Sequence, residues 1–277
     1  MRYLLLKLLP KNLLSRGLGK LSDMNVPSPV LHSFIKFYSH VYNVNLEEVK
    51  KPIDQFKTFN EFFTRELKEN AREIDTQPGA IVSPVDGTIA EFGDIKNNLL
   101  VQAKGIFYSC LDLVGEETAK LFEDGYFITL YLSPSDYHRI HSPITSELKE
   151  FSYFSGNLWP VNDIGVENVG GLFAINERIV SMLDSEAGKV AVVKVGATVV
   201  GRITLNYSEL RSNQGNDTLV RLPVVPPKKY KAGDEIGQFQ LGSTVILLFQ
   251  KNQFKPEGLS RQKKVKMGEI IGWKAEK

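Results

Sequence analysis

The chain has 277 residues, of which 42% are hydrophobic and 24% are charged, a balance typical of a globular protein with one large or two small cores. Its net charge of only +2 argues against a nucleic-acid-binding protein, and its single cysteine, Cys110, excludes an internal disulfide and a cysteine-based metal cluster. No stretch reaches the roughly 18 uninterrupted apolar residues of a transmembrane helix.

The first 21 residues combine leucines with positive charge and predict two short amphipathic helices broken at Pro10. A secretory signal peptide is disfavoured because Lys7 and Lys11 interrupt the apolar stretch and no small-residue cleavage site follows. A helix that packs into the core is the alternative. We favour an interfacial helix that buries its leucines at the acyl boundary of a membrane and places its basic residues on the headgroups. The leucines of the two predicted faces are Leu4, Leu5, Leu8 and Leu9, then Leu14, Leu18 and Leu21.

The next segment is also helical in pattern. Apolar residues recur at helical spacing between Leu31 and Tyr42, and this periodicity predicts a packed helix. Thr58, followed three residues later by Glu61, predicts an N-terminal cap that starts a helix over Phe59–Leu67. Arg65 in that helix could pair with a carboxylate or a phosphate, or lie on the surface.

From Ile81 onward the pattern becomes mainly β, interrupted by a short predicted helix over Glu116–Glu123. The spacing of short apolar runs and turn residues favours a sandwich or barrel over βαβ units. The polar, then proline-rich, segment from Tyr207 to Pro227 predicts a surface loop. The sequence therefore predicts an α+β fold with a helical, membrane-associating region over 1–67 and a mainly antiparallel β-rich domain over 68–277. The predicted strands are Thr88–Phe92, Leu99–Ala103, Tyr126–Leu132, Arg178–Leu183, Val190–Val195, Thr198–Leu205, Gln238–Leu241 and Thr244–Phe249.

A weak internal sequence repeat supports a barrel-sandwich core. The segment from Lys231 to Gly237 resembles the segment from Lys266 to Gly272, and both predict a hairpin turn that leads into a strand. The same pattern resembles turns of biotinyl and lipoyl carrier domains. No carrier lysine hairpin is evident, so we interpret the repeat as an indication of the fold and not of a cofactor.

Gly242-Ser243 lies between two predicted strands. Gly and Ser are common turn residues, so an ordinary β-turn is the simplest interpretation. The alternative is a chemically labile bond, because the serine hydroxyl can attack the preceding glycine carbonyl and move the acyl group from nitrogen to oxygen. Elimination then leaves dehydroalanine at residue 243, which hydrolyses to a pyruvoyl group and ammonia. Such a reaction needs a base for the hydroxyl.

Histidine is the preferred candidate for that base, since its pKa lies near neutrality. Two of the four histidines, His138 and His141, follow a predicted strand. A zinc site is disfavoured because no third ligand stands nearby. A structural pair of loop histidines is the alternative. Asp86 alone predicts a turn, but with a histidine it makes an Asp-His-Ser relay available to Ser243.

Four segments in this order resemble the phosphatidylserine decarboxylase proenzymes and span most of the chain. Each one alone is a weak signal, whereas the ordered set is highly specific. They are Phe59–Leu67, Ser83–Gly87, Leu132–His141 and the segment Phe239-Gln240-Leu241-Gly242-Ser243-Thr244-Val245-Ile246, which resembles the self-cleavage site of that family.

The resemblance implies the roles of the site residues. Asp86 would orient His141, and His141 would take the proton of Ser243. His138 would face the pyruvoyl carbon formed from Ser243 and assist decarboxylation. The pyruvoyl group would bind the amine of phosphatidylserine as a Schiff base, and the product would be phosphatidylethanolamine.

The resemblance also implies the partners. Cleavage between Gly242 and Ser243 would give a large chain 1–242 and a small chain 243–277 that stay together as a heterodimer, and a dimer of such pairs is compatible with the sequence. Residues 1–21 would bind the cytoplasmic side of the cell membrane as a peripheral anchor. No metal and no nucleic acid are expected.

Three other functions remain compatible with parts of the sequence. A serine hydrolase could use the same residue types, although no Gly-x-Ser-x-Gly elbow surrounds Ser243. A non-enzymatic lipoyl-like or membrane-binding module would explain the turns but not the paired histidines. A pyruvoyl decarboxylase of another amine-bearing substrate would not need the N-terminal helices.

Overall fold

The protein was analysed as a computed structural model that describes residues 10–198, 202–213, 219–240 and 243–276, with Ser243 described through its backbone alone. The first of the two predicted N-terminal helices therefore lies outside the described residues, as do Leu241 and Gly242.

Short helices occupy the N-terminal region and one face of the β-domain. Two of them are long enough for several turns, and both precede the β-domain. The α-helices are α1 Lys11–Ser22, α2 Ser28–Tyr42, α3 Phe59–Phe63, α4 Cys110–Val114, α5 Glu116–Leu121, α6 Asp163–Asn168 and α7 Leu172–Ile175, with single 3₁₀ turns at Leu46–Glu48 and Ile53–Gln55.

The strands form an antiparallel β-domain. Most of the sequence between the short helices is extended. The strands are β1 Ala80–Val82, β2 Gly87–Asp94, β3 Leu99–Ala103, β4 Ile106–Ser109, β5 Tyr126–Leu132, β6 Arg139–His141, β7 Ser146–Phe154, β8 Arg178–Ser185, β9 Gly188–Val195, β10 Arg202–Leu205, β11 Leu219–Tyr230, β12 Glu235–Gln240, β13 Ser243–Phe249, β14 Phe254–Pro256, β15 Lys264–Val265 and β16 Ile270–Lys274.

One large sheet organises this domain. It has eight strands in the order β11-β7-β8-β9-β13-β5-β2-β15, and every pair in it is antiparallel. A three-stranded sheet has the order β10-β12-β6, and a second has the order β1-β16-β14. The predicted α+β fold with a mainly antiparallel, sandwich-like core is confirmed.

Both faces of the large sheet are buried. Along β13, Val245, Leu247 and Phe249 join the core that the large sheet shares with the β10-β12-β6 sheet. The alternating residues Ile246 and Leu248 join a second core, which is covered by α4, α5 and α7. An antiparallel strand covered on both faces reads as a continuous apolar run, as Val245–Phe249 does.

The helix predicted over Phe59–Leu67 is shorter than expected. Thr58 caps it as predicted, accepting a hydrogen bond from the Glu61 amide, but the helix ends at Phe63. The backbone amide of Lys68 then donates to Glu48, and Lys50 donates to Glu66. This extended pairing competes with helix, so the last turn of the predicted helix does not form.

The prediction of a surface loop over Tyr207–Pro227 is wrong for its second half. Residues from Leu219 onward form β11, a twelve-residue edge strand of the large sheet. Proline lacks the amide donor, so it is confined to edge strands and bulges. The register shifts between Pro223 and Lys228, which places Pro226 and Pro227 in that irregular stretch.

Helix α1 exposes apolar side chains and buries polar ones, which is the reverse of a helix that packs into a core. Its leucines Leu14, Leu18 and Leu21 are exposed, whereas Ser15 and Ser22 are the residues that it buries. The alternative of a helix that packs its leucines into the core is therefore wrong for α1.

A lysine is buried in the first core. Lys194 on β9 is 0% exposed, and its ammonium donates to the Ser181 hydroxyl and lies 5.9 Å from the centre of the Tyr207 ring. Burial lowers the pKa of Lys194 to about 7. Because the unfolded chain binds this proton more tightly than the folded one, Lys194 costs the most stability below pH 7 and costs nothing above its unfolded pKa.

We therefore expect Lys194→Met to raise the melting temperature, with a larger gain at pH 6 than at pH 10. The apolar side chain removes the cost of burying the amine, and this cost disappears as the unfolded lysine loses its proton near pH 10.5. Thermal unfolding of both proteins across this pH range measures the difference.

Lys149→Met is the matched control, because Lys149 is half exposed and ion-paired with Asp184. It should give no comparable gain at either pH. A loss of stability in Lys194→Met that is equal at pH 6 and pH 10 would contradict the assignment.

Candidate active site

Gln240 and Ser243, the described residues on either side of Leu241-Gly242, belong to different sheets. The last residue of β12, Gln240, pairs with Arg202 in the three-stranded sheet. The first residue of β13, Ser243, pairs with Leu132 in the eight-stranded sheet, and Thr244 pairs with Val195 on its other side. The backbone before and after the Gly242-Ser243 bond is thus held by two different hydrogen-bond networks.

His138 lies at the end of β12 that leads to this crossing. Its carbonyl oxygen accepts a 2.9 Å hydrogen bond from the amide of Phe239. The adjoining residue Arg139 pairs with Gln238 in the ladder between β6 and β12. The strand register therefore brings His138 next to the segment that enters the predicted cleavage site.

The His138 ring is fully buried and has one nitrogen without a partner. Its Nδ1 lies 2.8 Å from the carbonyl oxygen of Asp136, which can only accept, so Nδ1 carries the proton. Its Nε2 is a buried acceptor without a hydrogen-bond partner among the described residues. The Phe63 ring contacts the imidazole with 4.1 Å between ring centres. Burial, helped by the nearby Arg65 charge, lowers the pKa of His138 to about 3, so the ring is neutral at physiological pH.

His141 is the last residue of β6, and each nitrogen of its ring has one hydrogen-bond partner. Its Nδ1 lies 2.6 Å from the carbonyl oxygen of Gly233, and its Nε2 lies 3.1 Å from the Tyr137 hydroxyl. The first contact again fixes the proton on Nδ1 and leaves Nε2 as the basic atom. Burial lowers the pKa of His141, while the negative charges of Glu235 and Asp86 act in the opposite direction.

Asp86 is held by an arginine that the sequence did not identify. The Arg72 Nε lies 2.8 Å from Oδ1 of Asp86, Nη2 bonds to Oδ2, and Nη1 reaches Glu48 at 2.8 Å. The amide of Met267 also donates to Asp86, at 2.9 Å. Fork geometry of this kind orients a carboxylate more firmly than a single bond.

The turns of the two repeated segments, at Gly233 and Gly268, both supply contacts to the site. The Gly233 carbonyl accepts a hydrogen bond from Nδ1 of His141, and the Met267 amide, next to Gly268, donates to Asp86. Both glycines adopt left-handed backbone conformations, with φ of 86° and 93°. A Cβ at Gly268 would clash with the Glu73 carbonyl, so only glycine fits there.

An apolar groove of about 730 Å³ begins beside these residues. Phe63, Leu132 and Pro134 line the end nearest His138, and Tyr38 donates a 2.8 Å hydrogen bond to the Pro134 carbonyl there. The other end is formed by the exposed apolar faces of α1 and α2. Its lining from those helices includes Leu18, Leu21, Val30, Phe34, Phe37 and Val41.

A family model described as "Phosphatidylserine decarboxylase" matches residues 59–273, which include Asp86, His138, His141 and Ser243. The chain belongs to the phosphatidylserine decarboxylase family. The resemblance inferred from the four sequence segments is confirmed.

Curated members of the family cover nearly the whole chain. The "Phosphatidylserine decarboxylase proenzyme" of Brevibacillus brevis is 42% identical over 272 residues, covering 96% of this chain and 95% of that protein. The protein of the same name from Myxococcus xanthus is 41% identical, covering 97% and 96%. A third, from Vibrio parahaemolyticus, is 43% identical over 251 residues, covering 88% of each.

The structure brings Asp86, His138 and His141 into one region. The backbone amide of His141 donates to Pro84, two residues before Asp86, at 2.8 Å. Within the described residues, however, Asp86 and His141 do not share a hydrogen bond, and Asp86 acts on the ring through its charge. The predicted relay to Ser243 stays a prediction, since the Ser243 side chain and Gly242 lie outside the described residues.

Two contacts in this family site were missed from the sequence. Arg72 stands in a charged stretch with no motif around it, and nothing marked it as the partner of Asp86. Tyr137 was part of a quoted segment, but nothing in that segment marked its hydroxyl as the partner of His141.

The described helices and side chains bear on membrane crossing and on metal binding. None of the helices in the described ranges is both long and apolar enough to cross a membrane. In the same part of the chain, no group of three His, Cys, Asp or Glu side chains is arranged to hold a metal ion.

Proposed function

We propose that the protein cleaves itself between Gly242 and Ser243 and then acts as a carboxy-lyase that converts phosphatidylserine to phosphatidylethanolamine. The observation that carries this proposal is the family match over residues 59–273, which spans the Gly242-Ser243 bond and both histidines. The curated relatives are named as proenzymes, which supports a processing step.

The cleavage step uses the serine hydroxyl as an internal nucleophile. The Ser243 oxygen attacks the Gly242 carbonyl carbon, its proton passes to a base, and the peptide C–N bond breaks as the nitrogen takes a proton. The resulting ester then eliminates across Cα–Cβ of residue 243. The separate anchoring of β12 and β13 supports this proposal, because the two sides of the bond keep their places when it opens.

We assign the base for this step to His141. Its Nδ1 is tied to Gly233, so Nε2 is free of the proton and basic, and the charge of Asp86 favours the protonated ring. In the described structure the Tyr137 hydroxyl forms a hydrogen bond with Nε2 of His141. Transfer from Ser243 therefore requires Tyr137 to move aside or to pass the proton on.

A pyruvoyl group at residue 243 would supply an electrophilic carbonyl that binds the substrate amine and accepts electrons as carbon dioxide leaves. The surroundings fit such a group, since the unpartnered Nε2 of His138 is buried beside the segment that leads to residue 243. We assign to His138 the proton transfer at the substrate carbon. Its neutral state at physiological pH lets Nε2 take up the proton that the substrate ammonium loses when the amine binds, and return it to the carbon from which carbon dioxide has left.

The two chains would remain together as a heterodimer. The small chain 243–277 contains β13, which lies between β9 and β5 in the middle of the large sheet. It also contains β15, paired with β2, and β16, paired with β1. These ladders join the small chain to the large chain at three places.

The exposed apolar faces of α1 and α2 would bind the cytoplasmic side of the cell membrane. Phe37 is 65% exposed, Leu21 61% and Val30 61%, and these residues line the same groove that reaches the site. An apolar surface of this kind next to basic residues is typical of interfacial helices. The groove would let lipid acyl chains remain in an apolar environment while the headgroup reaches residue 243.

The first prediction tests self-cleavage. Wild-type protein should run as two chains on a denaturing gel, and mass spectrometry should find a small chain with a pyruvoyl group at residue 243. Ser243→Ala should stay intact, because it lacks the attacking hydroxyl. Thr244→Val is the matched control, since it removes the adjacent hydroxyl, and it should still be cut. An uncut wild-type chain that nevertheless decarboxylates phosphatidylserine would refute the mechanism.

The second prediction separates the two histidines. Asp86→Ala and His141→Ala should accumulate the uncut chain, because both act on the Ser243 proton. His138→Ala should still cut but turn over phosphatidylserine about 10²–10⁴-fold more slowly, the usual range for loss of general acid–base catalysis. A gel and a carbon dioxide release assay on the same preparations give both readouts.

His40→Ala is the control for this series, since His40 is exposed on α2. It should be cut and active. If His138→Ala is uncut while His141→Ala is cut and inactive, the two roles are reversed. If both are cut and active, the histidine pair is structural.

The third prediction concerns the membrane. Deletion of residues 1–21 should abolish flotation with anionic liposomes and leave self-cleavage unchanged, because these residues bring leucines and basic charges worth about 1 kcal/mol each near such a surface. Replacing Leu14, Leu18 and Leu21 with Ser should weaken flotation without a deletion. Leu111→Ser, at an exposed leucine outside the groove, is the control. Unchanged flotation of both altered proteins would contradict the role of α1.

A further inference from the structure

Arg65 is buried, and no carboxylate among the described residues forms an ion pair with it. Its side chain is only 4% exposed, so the surface position that its sequence left open is excluded. Its Nη2 donates to the carbonyl oxygens of Ser135 at 2.8 Å and Asp136 at 3.2 Å. Its Nε and Nη1 have no hydrogen-bond partner among the described residues.

The nearby carboxylates are already occupied. Asp136 accepts hydrogen bonds from the Ser133 amide at 2.7 Å and the Ser133 hydroxyl at 2.8 Å. Asp86 is bound by Arg72. Burial lowers the pKa of Arg65, which reflects the cost of a guanidinium that lacks a close negative charge. A buried charge with free donors is costly unless a ligand satisfies it.

The position of Arg65 links the groove to the site. Its Nη2 and the Nδ1 of His138 share the Asp136 carbonyl as acceptor. Phe63 contacts the His138 ring and also lines the groove, as does Pro134, which precedes the Ser135 acceptor in the chain. Arg65 and His138 therefore share one acceptor, and Phe63 and Pro134 connect it to the end of the groove.

We propose that Arg65 binds the phosphodiester of the phospholipid substrate through Nε and Nη1. This inference rests on the proposed function. A lipid with its acyl chains in the groove would bring its phosphate and its serine to this shared acceptor, beside Arg65 and His138. Nε and Nη1 lie on different edges of the guanidinium, and each can donate one charge-assisted hydrogen bond to a phosphate oxygen.

The phosphodiester fits better than the serine carboxylate as the partner of Arg65. The carboxylate loses its charge when it leaves as carbon dioxide, so an ion pair to it would stabilise the ground state more than the transition state and slow the reaction. The phosphodiester keeps its charge throughout. It can therefore anchor the headgroup without opposing the chemical step.

The test measures binding separately from turnover. Glycerophosphoethanolamine carries the phosphodiester without the carboxylate, so it should raise the melting temperature of the wild-type protein. Ethanolamine and inorganic phosphate at the same concentration should not. In Arg65→Gln the shift with glycerophosphoethanolamine should vanish, and kcat/KM for phosphatidylserine should fall about 10- to 100-fold, mainly through KM, as expected for loss of charge-assisted hydrogen bonds.

Arg65→Lys should recover part of both signals, because it restores the charge but donates through a single nitrogen. Arg221→Gln is the control, since Arg221 is exposed and ion-paired with Glu150, and it should behave as wild type. Self-cleavage of each preparation reports folding, and Arg65→Lys provides the comparison if Arg65→Gln fails to fold.

Two outcomes would overturn the proposal. Arg65→Gln could keep the full shift with glycerophosphoethanolamine, and if it also loses protection by O-methylserine, Arg65 binds the carboxylate. Inorganic phosphate could protect the wild-type protein equally well, which would indicate a free-phosphate site. A wild-type protein that binds glycerophosphoethanolamine but does not decarboxylate phosphatidylserine would refute the proposed function alone.

Discussion

The crossing of the chain from the sheet of β12 to the sheet of β13 is the constraint on which the site depends. An ordinary hairpin would pair β12 with β13, whereas here β12 pairs with β10 and β6, and β13 pairs with β9 and β5. The same ladder that anchors β12 also positions β6, and so places His138 beside the crossing. Strand pairing thus determines which side chains surround the Gly242-Ser243 bond.

The site combines neutral histidines with buried arginines. Both imidazoles donate through Nδ1 to a backbone carbonyl, which fixes the tautomer and turns the basic nitrogen the other way. Arg65 helps keep His138 neutral, and Arg72 compensates the charge of Asp86. Asp86 binds Arg72 and the Met267 amide, and its charge acts on His141. It therefore connects the repeated turn at Gly268 to the histidine that contacts the repeated turn at Gly233.

Much of the β-domain could be predicted, because short apolar runs bounded by turn residues specify strands directly. The bounds of Leu99–Ala103 and Tyr126–Leu132 agree with β3 and β5. The proline-rich β11 was missed, since local propensity disfavours the strand and only its position at a sheet edge permits it. The short helix α3 and the Asp86–Arg72 pair depend on contacts between distant segments. The burial of Arg65 likewise could not be read from its sequence neighbours.

The central place of β13 has a consequence for the cleaved molecule. Removing the small chain would expose the edges of β9 and β5 in the middle of the large sheet and open both cores that β13 separates. Dissociation of the two chains would then be the same event as global unfolding. A heterodimer built in this way should not come apart on dilution, and its subunits should not exchange between molecules under native conditions.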